Sequence, residues 1–207
     1  MSAQILVMAK TPVPGRVKTR LCPPCTPARA ARIAAAALAD TVDAVTATRA
    51  DARILVVDGD QPAPAGWGRA AQRGDDLGER LAHAYTDTAG PGRAALLIGM
   101  DTPQADPWLL AGALATLLTD GVDAVLGPAS DGGWWALGLR DPAHAQVLRD
   151  IPTSTATTGA LTLAALTGRG LRVAALPTLT DVDTMDDAYA VAALCRPQSR
   201  FAMEVAA

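Results

Sequence analysis

Short apolar runs alternate with segments of helical periodicity along this chain of 207 residues. Runs rich in Val, Ile, Leu and Ala are typical of buried strands, and longer segments with apolar residues on one face are typical of helices. The runs predict strands at residues 4–9, 54–58, 94–100, 122–127, 134–139 and 171–176. The periodic segments predict helices at residues 27–48, 77–88, 106–120, 142–149, 157–167 and 184–195.

Start signals support several of the predicted helices. Thr26 and Asp106 each precede a proline, which is the arrangement of an N-cap residue before a proline at the first helical position. Thr184 and Asp187 have the spacing of a capping box. Because strands and helices alternate, we expect a Rossmann-like α/β fold with a mostly parallel sheet and helices on both faces.

Length and composition narrow the class of protein. The chain fits one domain at residues 1–198 followed by a C-terminal tail at residues 199–207, with two domains as the alternative. The formal net charge is −3 and there is no basic stripe, which argues against nucleic-acid binding. No apolar run has the length of a membrane span and no signal-peptide pattern precedes the first strand, so we expect a cytoplasmic protein without a membrane partner.

The loop after the first strand concentrates positive charge. Lys10 and Lys18 are the only lysines of the chain, Arg16 and Arg20 accompany them, and no acidic residue precedes Asp40. A compact cationic loop after a short apolar strand is typical of phosphate binding. A solvated basic surface loop is the alternative, but the proline and glycine residues of the segment favour a fixed shape.

Cys22 and Cys25 have the CxxC spacing and follow the basic loop. A zinc site would need a second close pair of ligands, whereas Cys195, His83 and His144 are widely separated. A thioredoxin-type redox role is therefore an alternative to the simpler interpretation, which is two reduced cysteines.

Aspartates follow three of the predicted strands. Asp101 follows the central strand, Asp131 follows the strand at residues 122–127, and Asp181 and Asp183 follow the last strand. In parallel sheets, ligands bind beyond the carboxyl ends of the strands, so these loops should converge on one edge of the sheet. Carboxylate ligands suit Mg²⁺ or Mn²⁺, although Asp183 could instead shape the turn before its helix.

Five segments occur in the order of a known family. They read Lys10-Thr-Pro-Val-Pro-Gly-Arg-Val-Lys-Thr-Arg-Leu21, Gln72-Arg-Gly-Asp-Asp-Leu-Gly-Glu-Arg80, Gly99-Met-Asp-Thr-Pro103, Gly127-Pro-Ala-Ser-Asp-Gly-Gly133 and Asp181-Val-Asp-Thr184. The chain resembles the glycosyltransferase A-type, or nucleotide-diphospho-sugar transferase, superfamily. Within it, the chain is most similar to a small bacterial branch that resembles 2-phospholactate guanylyltransferase.

The resemblance implies a role for each matched position. Catalytic roles fall on Lys18, Arg20 and Asp131. Nucleotide phosphates would meet Lys10, Gly15, Arg16, Lys18, Thr19 and Arg20, and the base would meet Gln72, Gly74, Leu77 and Gly78. The metal, Mg²⁺ or Mn²⁺, would be held by Asp101 and Asp183. The acceptor would meet Gly132, Gly133, Trp134 and Trp135, where many relatives carry Tyr, while the segment 151–158 lacks an aromatic residue expected near its start.

Three functions are compatible with these features. In nucleotidyl transfer, a small phosphorylated acceptor attacks the α-phosphorus of a nucleoside triphosphate and pyrophosphate leaves. In glycosyl transfer, an acceptor attacks the anomeric carbon of a nucleotide-sugar and a nucleoside diphosphate leaves. The basic loop favours the first, because positive charge stabilises a leaving pyrophosphate. A non-catalytic nucleotide-binding protein is the third hypothesis.

Overall fold

The computed structural model describes residues 2–207 as one seven-stranded sheet with flanking helices. The strands are β1 Ser2–Lys10, β2 Ala52–Asp58, β3 Gly68–Ala71, β4 Arg93–Gly99, β5 Ala124–Pro128, β6 Trp134–Leu139 and β7 Val173–Ala175. The α-helices are α1 Pro27–Ala47, α2 Leu77–Asp87, α3 Pro107–Leu118, α4 Thr158–Gly168, α5 Met185–Leu194 and α6 Arg200–Ala206. Two 3₁₀ helices span Thr19–Leu21 and Pro142–Asp150.

The strand order is β3-β2-β1-β4-β6-β5-β7. Only β6 runs against its neighbours, pairing antiparallel with both β4 and β5. The remaining pairs are parallel. The expected α/β fold with a mostly parallel sheet is therefore confirmed, and the carboxyl ends of β1, β2, β4, β5 and β7 lie at the same edge of the sheet.

Apolar residues cover both faces of the sheet and the outer side of α1. One face packs against α1 and α3, where Ile5 and Leu96 are fully buried. The other face packs against α2, the second 3₁₀ helix and α4, where Leu6 and Leu97 are buried. Consecutive strand residues thus pack on opposite faces of the sheet, as the alternation of a pleated strand requires. A third cluster joins α1 to α5 and α6.

The start signals in the sequence have the expected geometry. The Thr26 side chain accepts a hydrogen bond from the Arg29 backbone at 3.2 Å, and Asp106 Oδ1 accepts one from the Leu109 backbone at 2.8 Å. The capping box at Thr184 is complete. These bonds satisfy backbone donors that a helix start leaves without an intrahelical partner.

Three elements differ from the sequence-based expectation. The loop expected at residues 59–68 ends in the edge strand β3, whose four residues Gly-Arg-Ala-Ala show no apolar alternation. The element at residues 142–150 is a 3₁₀ helix. Residues 199–207, expected as a tail, contain α6, whose Phe201 and Val205 are buried in the third cluster. Among residues 2–207, no helix is both long and apolar enough to cross a membrane.

Phe201 should anchor α6 to the domain. Its side chain is fully buried, so Phe201→Ala should lower the free energy of unfolding by about 3 kcal/mol, measured by urea denaturation. Met203 on the same helix is 54% exposed, so Met203→Ala should change it by less than about 0.5 kcal/mol. Equal effects of the two substitutions would show that α6 does not dock as described.

Candidate functional site

A cleft of about 760 Å³ opens at the carboxyl edge of the sheet. The loop after β1 and helix α2 form one wall, which we call the basic side because Lys10, Arg16, Lys18, Arg20 and Arg80 line it. The β5–β6 loop, the start of β6 and residues 151–158 form the opposite wall, which we call the acceptor side after the role that the resemblance implies. Asp101, Asp181 and Asp183 lie between the two walls and also line the cleft.

Three carboxylates converge at the centre of the cleft. Asp101, Asp181 and Asp183 each offer an oxygen, and these oxygens lie within 4.8 Å of one another. The backbone explains the convergence, because the Val182 N–H donates to the Asp101 carbonyl at 3.0 Å. Val182 is 1% exposed, so the side chains on either side of it project together toward the cleft while it packs inward.

Lys18 bridges two of these carboxylates. Its Nζ lies 2.8 Å from Asp101 Oδ2 and 3.0 Å from Asp183 Oδ1, and its side chain is only 13% exposed. The Lys18 backbone is left-handed, with φ 46° and ψ 44°, which turns the chain into the following 3₁₀ helix. Arg20 Nη1 adds a contact of 2.7 Å to Asp183 Oδ2.

The pKa values of these groups follow from their neighbours. Burial alone would lower the pKa of Lys18, but Asp101 and Asp183 outweigh it and raise this pKa above its usual range. Burial alone would raise the pKa of Asp183, but Lys18 and Arg20 hold it below the ordinary value. Both groups are therefore charged at neutral pH.

Asp181 is the carboxylate of the cluster that makes no ion pair among the described residues. Burial, followed by repulsion from Asp101, Asp131 and Asp183, raises its pKa to about 6. Negative charge at this point is thus in excess, which is the condition under which a bound cation stabilises a site.

The three carboxylates fit a divalent metal ion. Mg²⁺ and Mn²⁺ take hard oxygen ligands, and Asp101, Asp181 and Asp183 present one oxygen each around a common point. Sequence reasoning chose Asp101 and Asp183 and did not include Asp181. The Asp-x-Asp spacing could have indicated it, since alternate residues of an extended segment share a face.

At the other end of the basic side, the ion pairs are longer than those of Lys18. Asp58, at the end of β2, lies between Lys10 at 3.8 Å and Arg80 at 3.5 Å. Arg16 is exposed and makes no ion pair within residues 2–207, so its guanidinium is available to a ligand. Sequence reasoning missed Asp58 and Arg80, although Arg80 closes one of the matched segments and Asp58 directly follows a buried strand.

The residues expected to meet the base divide into two groups. Gln72 and Leu77 line the cleft. The Gln72 amide donates to the Ala9 and Val56 carbonyls at 2.7 and 3.2 Å, which leaves its oxygen for a ligand. The matched glycines instead meet backbone and packing constraints. Gly74 has φ +129°, a conformation that favours glycine, and a Cβ on Gly78 would clash with the Leu148 carbonyl oxygen.

The two glycines after Asp131 allow a close contact with the start of α4. A Cβ on Gly132 would lie 2.1 Å from the Ala156 carbonyl oxygen, and its own carbonyl accepts a bond from the Gly159 N–H at 2.8 Å. Asp131 is exposed in the cleft, and its Oδ1 accepts a bond from the Gly133 N–H at 2.7 Å. Sequence reasoning assigned Asp131 a catalytic role and did not include residues 153–156, which line the cleft with it.

The adjacent tryptophans point to opposite faces of the sheet. Trp134 is half-buried and lines the cleft. Trp135 is 3% exposed, packs in the core beside Gly127, and donates from Nε1 to the Pro177 carbonyl at 2.9 Å. Its proposed acceptor contact is therefore corrected, because strand alternation turns it away from the cleft.

Gly15 lies in the basic loop with φ +75° but does not line the cleft, whereas Thr19 does.

Two of the three cysteines, Cys22 and Cys25, follow the basic loop in the sequence. Cys22, Cys25 and Cys195 are free thiols, and the buried Cys25 Sγ lies 3.2 Å from Met185 Sδ. Cys25 packs within the third apolar cluster.

Replacing either of the two carboxylates that Lys18 bridges should greatly weaken metal binding. Asp101→Asn or Asp183→Asn should weaken Mn²⁺ binding by more than about 100-fold in calorimetric titration, beyond the usual cost of losing a residue that only supports a ligand. Asp186→Asn, an exposed substitution on α5, is the matched control and should bind Mn²⁺ normally. Normal binding by the first two variants would exclude the cluster as the metal site.

Asp181 should destabilise the metal-free protein at neutral pH. Because its pKa is raised to about 6 in the folded state, the folded protein binds this proton more tightly than the unfolded chain. Stability from this group is therefore lost as pH rises through 6, and Asp181→Asn should restore on the order of 1 kcal/mol at pH 8, allowing for solvent screening. Thermal unfolding without metal at pH 4 and pH 8 measures this gain, which should be absent at pH 4.

Comparison with known proteins supports the fold and gives the family. Residues 30–155 match a family described as "Uncharacterized protein conserved in bacteria (DUF2064)". No match is found among curated proteins. A protein of Desulfovibrio desulfuricans G20, provisionally named a nucleotide-diphospho-sugar transferase, is 30% identical with a TM-score of 0.83, and the match covers 98% of this chain and 94% of that one.

More distant structures share the fold alone. A CMP:2-keto-3-deoxy-manno-octonic acid synthetase solved with CTP is 12% identical, with a TM-score of 0.57 over 89% of this chain and 94% of that one. Rv0371c of Mycobacterium tuberculosis H37Rv, solved with manganese, is 19% identical, with a TM-score of 0.55 over 92% and 98%. These matches do not confirm the narrower resemblance to 2-phospholactate guanylyltransferase. The match to more than half of its residues shows that the chain belongs to the bacterial family DUF2064.

Proposed function

We propose that this protein is a metal-dependent transferase that moves a nucleotidyl group from a nucleoside triphosphate to a small acceptor and releases pyrophosphate. The observation that carries this proposal is the meeting of the basic side with the carboxylate cluster in one cleft. Five cations and five carboxylates line it, namely Lys10, Arg16, Lys18, Arg20 and Arg80 against Asp58, Asp101, Asp131, Asp181 and Asp183.

The charges of the cleft suit a triphosphate. The five cations balance the five carboxylates, so a divalent ion would leave the lining with a net positive charge. Arg16 makes no ion pair with any residue that the structure describes, and Lys10 and Arg80 share Asp58 at 3.5–3.8 Å. Arg16 and Lys10 can turn to the phosphates without breaking a short contact, and Arg80 can offer its Nη groups while its Nε donates to the Gly74 carbonyl at 3.1 Å. Charged hydrogen bonds to phosphate stabilise a complex by about 1.5–3 kcal/mol each.

Lys18 and Arg20 would act at the reacting phosphate. In the proposed step, an acceptor oxygen bonds to the α-phosphorus, the bond from that phosphorus to the β-phosphate oxygen breaks, and pyrophosphate leaves with the electron pair. Both cations are held by Asp183, and Lys18 also by Asp101, so they are fixed before the ligand arrives. Fixed positive charge stabilises the developing negative charge without reorganisation.

Asp101, Asp181 and Asp183 would hold Mg²⁺ or Mn²⁺. When bound, the ion would supply positive charge to the phosphates and neutralise the carboxylate cluster. The CTP and the manganese of the two distant structures agree with a nucleotide and a divalent ion as ligands of this fold.

Glycosyl transfer from a nucleotide-diphospho-sugar is the second candidate. The provisional name of the Desulfovibrio protein favours it, and Asp131 could serve as the base for an acceptor hydroxyl. A nucleotide-sugar has fewer negative charges than a triphosphate, however, and would leave part of the basic side without a partner. A nucleotide-binding protein without activity is the third candidate, for which binding would persist without turnover.

Binding of matched ligands should decide between the two reactions. With Mn²⁺ present, a nucleoside triphosphate should raise the unfolding temperature more than the nucleotide-sugar with the same base, for each of the common bases. Arg16→Ala should weaken triphosphate binding by roughly 10-fold or more, which corresponds to one charged contact, and should spare the nucleotide-sugar. Arg169→Ala, an exposed substitution after α4, is the control.

The rate of pyrophosphate release gives a second test of the proposed reaction. Lys18→Ala should reduce pyrophosphate release by on the order of 100-fold, as expected for loss of a fixed donor at the reacting group. A preference for the nucleotide-sugar that Arg16→Ala and Lys18→Ala leave unchanged would instead favour glycosyl transfer.

A further inference from the structure

We propose that the acceptor is a neutral, hydroxyl-rich molecule such as an unphosphorylated sugar or polyol. This proposal rests on the proposed function, which supplies the triphosphate donor and takes the wall opposite the basic side as the acceptor side. It replaces the phosphorylated acceptor expected from the sequence, because no lysine or arginine among the described residues lines that wall.

The charges of the cleft are divided unevenly between its walls. Every lysine and arginine that lines it within residues 2–207 belongs to the end of β1, the loop that follows it, or α2. The acceptor side presents Asp131, Trp134, Ile151 and a run of Thr, Ser and Ala residues. Its one charged group is the exposed carboxylate of Asp131, which would repel an acceptor phosphate rather than bind it.

The start of α4 does not replace the missing cations. A helix N-terminus can bind a phosphate through its free N–H groups. Here the Thr158 N–H donates to the Thr155 carbonyl at 3.1 Å, and the Gly159 N–H donates to the Gly132 carbonyl at 2.8 Å. The first two N–H groups of the helix are therefore already satisfied by the protein.

The groups that remain available suit hydroxyls. Thr153 and Ser154 line the cleft, and neither side chain makes a hydrogen bond within residues 2–207. Asp131 Oδ1 is used by the Gly133 N–H, while Oδ2 has no partner among the described residues. Hydroxyls can donate to a carboxylate and both donate to and accept from Ser or Thr. Trp134 adds a flat apolar surface, which suits the carbon face of a sugar or polyol.

A neutral acceptor also assigns a role to Asp131. The acceptor hydroxyl oxygen would bond to the α-phosphorus of the donor, pyrophosphate would leave, and the hydroxyl proton would pass to the Asp131 carboxylate. An acceptor phosphate would need no such base at neutral pH, because it is already ionised. A carboxylate at this wall is thus useful for a hydroxyl and unfavourable for a phosphate.

Matched pairs of probes test the proposal. The full-length protein is loaded with Mn²⁺ and with the triphosphate that stabilises it most, so that the basic side is occupied. Saturation-transfer NMR then compares glycerol with glycerol 3-phosphate, ribose with ribose 5-phosphate, and glucose with glucose 1-phosphate. We expect the neutral member of at least one pair to bind about 10-fold more tightly or better, and no phosphorylated member to be preferred.

Two variants assign the signal to this wall. Trp134→Ala should remove binding of the neutral probe, whereas Trp108→Ala, which replaces a tryptophan that is 81% exposed on α3, should retain it. Asp131→Lys should reverse the preference within the pair. Binding of no neutral probe, or preference for a phosphorylated one by the unmodified protein, would overturn the proposal. Failure of every triphosphate to bind would instead reject the proposed function, so the two failures are distinguishable.

Discussion

The cleft depends on one ammonium group that lies between carboxylates that would otherwise repel each other. Asp101 comes from the loop after β4 and Asp183 from the segment before α5, and Lys18 contacts both at 2.8–3.0 Å. At Asp181, which Lys18 does not contact, burial together with repulsion from the neighbouring carboxylates raises the pKa. Lys18 therefore lets three distant parts of the chain meet at one point and, with Arg20, keeps Asp183 ionised.

The same contact explains why the basic loop has a fixed shape. Lys18 and Arg20 do not extend freely into solvent, because Asp183 holds both of them. Val17 is buried in the apolar cluster that packs α1 and α3 against the sheet. Arg16, at the exposed end, makes no ion pair in the described part of the chain. Ion pairs thus hold one end of the loop in place, while the Arg16 guanidinium at the other end stays available to a ligand. This arrangement is expected of a site that binds an extended polyphosphate.

Much of the fold could be predicted because local signals agree with it. The caps at Thr26, Asp106 and Thr184 fix helix starts through their own neighbours, and the apolar runs locate six of the seven strands. β3 and α6 were not predicted, because one lacks apolar alternation and the other is too short to show a period. Asp58 and Arg80 were missed for a different reason: their ion pair joins separate elements, which spacing along the chain does not show. Asp181 was not chosen as a metal ligand, although the Asp-x-Asp spacing with Asp183 could have indicated it.

The difference between the two walls follows from the topology of the sheet. The basic side is built from a parallel strand and its following loop, which has room for long cationic side chains. The acceptor side is a hairpin between β5 and the antiparallel β6, and its turn must pass within contact distance of the start of α4. Only glycine fits at Gly132 under that constraint, and the satisfied backbone there leaves short hydroxyl side chains and one aspartate to meet a ligand. The side chains that face the cleft at this wall include Asp131, Trp134 and the hydroxyl residues Thr153, Ser154 and Thr155, none of which is a cation.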